Sequence, residues 1–272
     1  MDYFNYQDGQ LFAEEVSVAS LANQFGTPCF IYSRTSIEEQ YKAYEEAFNG
    51  HPSLICYAVK ANSNLAVLNV LSKLDAGFDI VSGGELDRVL AAGGDPRKVI
   101  FSGLGKTKDE IISGLEAKIL CFNIESEAEL HRIDEVAKTQ NQVAPISIRV
   151  NPDVDAETHP YISTGLKENK FGVPIASALS LYRQAADMTG VNIIGIDAHI
   201  GSQLTSVKPF LNSIDCLFVL IDQLKAEGIN LSHVDIGGGL GIKYDQEEPP
   251  EPSDLISCVR EKFADRNLKI VI

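Results

Sequence analysis

Three groups of residues in this 272-residue chain are built to do chemistry. The first is Cys56-Tyr-Ala-Val-Lys60-Ala-Asn62, an apolar run that ends in a lysine. An ammonium closing a strand fit for burial is costly to desolvate unless it is paired or neutralised. One escape is an imine with a carbonyl compound, the role of a nucleophilic lysine. The plain alternative is a lysine that snorkels to the surface. The second group is His199-Ile-Gly-Ser202-Gln203. Here an imidazole can stack on an aromatic heterocycle, and Gly201 lets backbone approach. The alternative is a core histidine bonded to backbone. The third is His233-Val-Asp-Ile-Gly237-Gly238-Gly239-Leu-Gly241. Consecutive glycines permit positive φ and present N–H groups as an anion nest, where the bland reading is a tight turn. A fourth stretch, Val81-Ser82-Gly-Gly-Glu85, reads as well for a helix start as for a site, with Ser82 as cap and Glu85 as first-turn acid.

The elements that must position these groups follow from periodicity. Apolar, β-branched runs predict strands over 54–60, 77–82, 99–103, 120–124, 146–151, 194–201, 233–239 and 269–272. Between them, helical spacing predicts helices over 36–48, 66–74, 85–92, 108–117, 127–139, 176–188, 209–227 and 253–265. Ser126 followed by Glu129 is a capping-box start. About eight strands alternating with helices favour an α/β fold closed as a (β/α)8 TIM-type barrel over an open doubly wound sheet. The Gly-rich segment follows strand seven, not strand one where a dinucleotide fold wants it. Residues 36–272 are assigned to the barrel. Residues 1–35 form a separate N-terminal segment, with a short helix over 18–25 and a second strand-like run, Pro28-Cys-Phe-Ile-Tyr32.

Side chains alternate along a strand. One face of each strand is apolar, and the other puts Lys60, Asp79, Arg149, His199 and Asp235 inside the barrel, towards the ends where barrel chemistry sits. A barrel filled for stability alone would place Val, Ile and Leu there; the alternative is a buried ion network satisfied within itself. Phosphate often binds in the loops after strands seven and eight. A lysine nucleophile, a stacking histidine and a phosphate nest on one rim together describe a pyridoxal phosphate site.

These residues resemble the alanine-racemase-like (fold-type III) pyridoxal phosphate enzymes and, among them, the diaminopimelate decarboxylase family. The resemblance runs from Gly26-Thr-Pro-Cys-Phe-Ile-Tyr32 to the end of the chain. Its most specific stretch is His159-Pro-Tyr-Ile-Ser-Thr-Gly-Leu-Lys-Glu-Asn-Lys170-Phe-Gly172, with Asn151-Pro-Asp just upstream. The resemblance implies that Lys60 is the Schiff-base lysine and that His199 stacks on the cofactor ring. It implies that Ser202 and Gly237, Gly238 and Gly239 hold the phosphate. Asp79 and Arg149 would orient lysine and ring, with Glu85 and Asp235 as supporting acids. The reaction implied is decarboxylation of meso-diaminopimelate to L-lysine in lysine biosynthesis, by a homodimer with its site at the interface.

The family pattern continues past the eighth strand into Glu-Pro-Gly-Arg and a β-domain that supplies a cysteine proton donor. This chain ends before both, so it is expected to be the N-terminal part, with little or no turnover and no native dimer by itself. The run Cys29–Tyr32 is expected to expose an apolar edge that packs against the absent β-domain. The competing expectations are another decarboxylase or racemase of the same fold, and a non-catalytic barrel kept for binding or regulation.

Bulk properties bound the rest. A formal net charge of −15 leaves no basic stripe for nucleic acid, yet allows a local site for an anionic small molecule. The five cysteines, Cys29, Cys56, Cys121, Cys216 and Cys258, are scattered, which argues against a disulfide framework or a zinc site. No metal is expected. No run approaches membrane-spanning length, and the cytoplasm is the expected compartment.

Overall fold

The computed structural model describes residues 3–154 and 171–272. Most of the family-like stretch from His159 lies in 155–170, outside the described residues. The chain opens on a small antiparallel sheet of β1 (Phe4–Gln7), β2 (Gln10–Ala13) and β3 (Val16–Ser17), followed by α1 (Val18–Phe25). Glu14 ties this unit to the next helix, α2 (Arg34–Phe48). Its carboxylate accepts from Ser33 Oγ at 2.6 Å and from the Thr35 N–H at 3.0 Å. The strand-like run at 28–32 does not form a strand. It pairs with no other strand among the described residues, so apolar content alone does not make a ladder. Its side chains are outward, with Phe30 90% exposed.

The barrel is built from β4 (Ser53–Leu54), β5 (Cys56–Ala58), α3 (Leu65–Lys73), β6 (Gly77–Ile80), α4 (Gly83–Ala91), β7 (Val99–Phe101) and α5 (Lys108–Ala117). It continues with β8 (Cys121–Ile124), α6 (Glu127–Thr139), β9 (Ala144–Asn151), the short β10 (Val173–Pro174) and α7 (Ile175–Ala186). It ends with β11 (Val191–Asp197), α8 (Lys208–Ala226), β12 (His233–Asp235), α9 (Pro252–Phe263) and β13 (Lys269–Val271). The ladder runs β4-β13-β12-β11-β9-β8-β7-β6-β5, all parallel. Closure happens within the first barrel strand, which breaks at Ile55. Ser53–Leu54 pairs with β13, and Cys56–Ala58 turns to pair with β6.

The expected faces are the observed ones. Phe78, Ile80, Ile146, Ile148, Val150, Ile196, Val234 and Ile236 look outward and join one core with the helices. Burial of this layer removes apolar surface from water and is the dominant favourable contribution to folding. The first strand stops sooner than its apolar run predicts. Its ladder with β6 ends at Ala58↔Asp79, and Val59–Ala61 tightens into a 3-10 turn with Val59 fully buried. Lys60 therefore sits on a turn, its side chain 60% exposed, and the burial cost inferred from the sequence is relieved by position.

Candidate active site

The ends of the strands open onto a cavity of about 660 Å³. Lys60, Asp79, Arg149, His199, Ser202, Gly237, Gly238, Gly239 and Asp235 all line it, so the residues expected from strand alternation and loop chemistry do converge. Glu85 does not line it. Its Oε2 accepts the Val81 N–H at 2.7 Å, while Ser82 Oγ accepts the Glu85 N–H at 3.3 Å. The helix-start reading of that stretch accounts for its bonds, and Glu85 reaches the cavity only through Val81, a wall residue.

Charge in the cavity is dense and unequal. Lys60 Nζ lies 3.6 Å from Asp79 Oδ2. Arg149 Nη1 donates to Glu125 Oε1 at 3.1 Å, its Nε lies 3.8 Å from Asp197 Oδ2, and its guanidinium stacks 5.0 Å from the Phe171 ring centroid. Burial works against the Arg149 charge, but Asp197 and Glu125 more than offset it, so its pKa rises. Asp197 and Asp235 are register partners on adjacent strands. Burial, and then its neighbour Asp235, push Asp197 well above the usual carboxylate range, against the pull of Arg149. Burial pushes Asp235 up to about 6, although it accepts the Gly237 N–H at 2.9 Å. Asp79 is also raised by burial, with Lys60 pulling the other way.

His199 is pushed down to about 3 by burial and by the positive charges of Arg149 and Lys60. It is neutral at physiological pH and offers an aromatic face without charge. Burial raises the Cys56 and Cys121 thiols well above their usual value, so neither is a ready thiolate.

The glycine loop after β12 is a cradle that side chains would fill. Gly239 has φ +107°, and a Cβ there would stand 1.9 Å from the Gly201 carbonyl oxygen. Gly237 has φ +67° and is packed against Ala198 and His199. Gly238 meets nothing within 4 Å, leaving open space above its backbone. The Arg149 guanidinium, the Lys60 amine at the rim and the glycine loop form a set suited to a phosphorylated aldehyde, and small Cys56 and Ala58 leave room for a flat ring.

A model of the pyridoxal-dependent decarboxylases, describing their pyridoxal-binding domain, matches residues 34–272. The chain belongs to this family. Similar relatives include the diaminopimelate decarboxylases of Pseudomonas aeruginosa and Vibrio cholerae, each 56% identical over all of this chain. The chain spans 65% of the length of the first and 66% of the second. Among solved structures, diaminopimelate decarboxylase from M. jannaschi superimposes with a TM-score of 0.92 at 39% identity, covering 99% of this chain and 66% of that one. The Helicobacter pylori enzyme complexed with L-lysine gives 0.90 at 41% identity, covering 93% and 64%. Among the described residues, no helix is long and apolar enough to cross a membrane.

Three residues in or behind the cavity were not picked out from the sequence. Asn123 and Asp197 line it, and Glu125 stands directly behind Arg149. Alternation carries the signal: Asn123 follows Cys121 on the inward face of β8 and Glu125 continues it one residue past the strand. Asp197 shares its face with His199.

Proposed function

We propose that this protein decarboxylates meso-2,6-diaminopimelate to L-lysine and CO2 with pyridoxal phosphate as cofactor. The observation that carries the reading is the convergence of Lys60, His199 and the Gly237–Gly239 cradle on one cavity. The identity to diaminopimelate decarboxylases supports the choice of substrate. Neighbours acting on other amino acids, such as a lysine/ornithine decarboxylase from Vibrio vulnificus at 21% identity, share the fold alone.

In this reading Lys60 supplies the amine that anchors the cofactor, and Asp79 keeps that amine on the cavity side. Ser202 and the N–H groups of Gly238 and Gly239 hold the phosphate, with Gly237, its own N–H turned to Asp235, shaping the loop. Pyridoxal phosphate, when bound, supplies an electron sink for the pair left as a bond to the substrate α-carbon breaks. The chain's own residues set the conditions. Arg149, clamped by Glu125 and Asp197, is a fixed positive charge that draws anionic groups into a largely acidic protein. His199 stays uncharged and orients an aromatic ring without competing for its proton. Asp197 and Asp235 take up protons nearer neutrality than ordinary carboxyls, which tempers the negative charge beneath the substrate. The cytoplasm is the compartment proposed; a homodimer with the site at its interface is what the family resemblance implies, and sedimentation of the cofactor-loaded protein tests whether this chain forms it.

The substrate is tested by supplying the cofactor-loaded protein with meso-diaminopimelate, ornithine, arginine or carboxynorspermidine and measuring CO2 and product. Whatever turnover the protein shows, however small, is expected from diaminopimelate, with lysine formed. Release from ornithine or arginine in its place would overturn the substrate and leave the cofactor reading intact.

A further inference from the structure

Lys106 is a buried cation that the proposed reaction does not use. It lies on the loop between β7 and α5, and its side chain is 1% exposed. Its ammonium donates to the Gly103 carbonyl at 2.8 Å, the Asn123 carbonyl at 2.8 Å and Glu129 Oε1 at 3.1 Å, one acceptor for each hydrogen. Glu129 Oε2 in turn accepts the Glu125 N–H at 2.7 Å. Glu125 then does three things. Its Oε1 accepts from Arg149 Nη1 at 3.1 Å and from the Gly103 N–H at 3.2 Å, and its Oε2 accepts the Gly172 N–H at 3.0 Å.

A buried ion pair is weak evidence for stability, since apolar residues of like volume often serve as well. The Lys106–Glu129 pair therefore needs another account. Its bonds run to Gly103 and Asn123, which line the cavity, and through Glu125 to Arg149, which also does. The same pair explains why the helix start at Ser126 departs from a full capping box. Ser126 Oγ accepts the Glu129 N–H at 3.3 Å, but the Glu129 carboxylate is drawn towards Lys106 and reaches back to Glu125.

We propose that Lys106 is a positioning residue for the cofactor cavity, fixing Arg149 through Glu129 and Glu125 and setting the rims of two adjacent strands through the Gly103 and Asn123 carbonyls. The proposal rests on reading the cavity as a pyridoxal phosphate site. A simple structural staple would share the bonds but not the dependence on Arg149.

Two readouts test the proposal, the first the linkage and the second the difference between these roles, with Lys106→Met/Glu129→Met as the main variant because it removes both charges and strands neither. The first is amide hydrogen exchange without cofactor. The Gly172 amide should lose protection while Phe78, in a strand away from the network, keeps it. Unchanged protection at Gly172 overturns the proposal. The second is the dissociation constant of pyridoxal phosphate, measured with and without Arg149→Met. The double variant should weaken binding by about tenfold, the worth of one misplaced charge-assisted hydrogen bond. In the Arg149→Met background it should weaken binding no further; equal weakening in both backgrounds overturns the proposal. Should the double variant not fold, Lys106→Gln carries the same comparison. Failure of the unaltered chain to take up pyridoxal phosphate at Lys60 would sink the cofactor reading, while exchange at Gly172 still decides the linkage.

Discussion

The outward and inward faces of the same barrel strands differ sharply. Outward, Phe78, Ile80, Ile148, Ile196 and Val234 are fully buried and apolar. Inward, at the same heights, stand Asp79, Arg149, Asp197, His199 and Asp235, with carboxyls raised and an imidazole lowered by burial. The outward face follows the rules of packing, and many combinations of apolar side chains would satisfy it. The inward face breaks those rules at the strand ends, gathering charges that cost stability. Such a set is retained where it serves binding or chemistry. Substitutions on the two faces should therefore fail in different ways.

The largest effect is expected at Lys60. Lys60→Ala should abolish covalent capture of the cofactor and lower turnover by roughly a thousandfold or more. Because the side chain is largely exposed, thermal unfolding should barely move. A clear fall in melting temperature would show that Lys60 belongs to the packing and not to the site.

On the other face, Phe78→Ala should cost about 3–5 kcal/mol of folding stability by leaving a cavity in the core. Chemical denaturation measures this, and the cofactor affinity of the protein that remains folded should be close to unaltered. Gly239→Ala comes next. The positive φ and the 1.9 Å approach to the Gly201 carbonyl force the loop to shift, at a cost of about 1–3 kcal/mol. Phosphate and cofactor should bind more weakly, and calorimetric titration checks this.

The smallest effect has the clearest sign. Asp235 in the fold titrates at about 6, against an ordinary value of 3.8. A raised carboxyl favours the fold while protonated, so its contribution is present below 3.8 and is lost as pH rises through about 6. Asp235→Asn should be more stable than the unaltered protein above pH 6, by roughly 1–3 kcal/mol. The difference should vanish below pH 4. His233, lowered to about 4 by burial, acts in the opposite sense, losing stability as pH falls below 6.5, so the two proteins must be compared at each pH.

The same contrast explains what was legible in the sequence. The outward face was readable because alternation and β-branching are local signals, and strands and helices fall within a few residues of expectation. Lys60, Asp79, Arg149, His199, Ser202 and the three glycines were readable as cavity-lining residues because each stands at or just past a strand end. Lys60 itself was placed one step wrong, on a strand in place of a turn, since a ladder ends where its partner ends. Pro28–Tyr32 misled for the same reason: apolar residues do not announce a missing partner. Lys106 and Glu129 were invisible as a pair. They lie 23 residues apart, on a loop and a helix, and only the closed sheet brings them together.

The central claim is that the inward face is a pyridoxal phosphate site anchored on Lys60. The most direct test is to mix the protein with pyridoxal phosphate, reduce with borohydride and locate the adduct by mass spectrometry. A pyridoxyl group confined to Lys60 is the predicted result. No adduct, or labelling spread over the surface lysines, would contradict it.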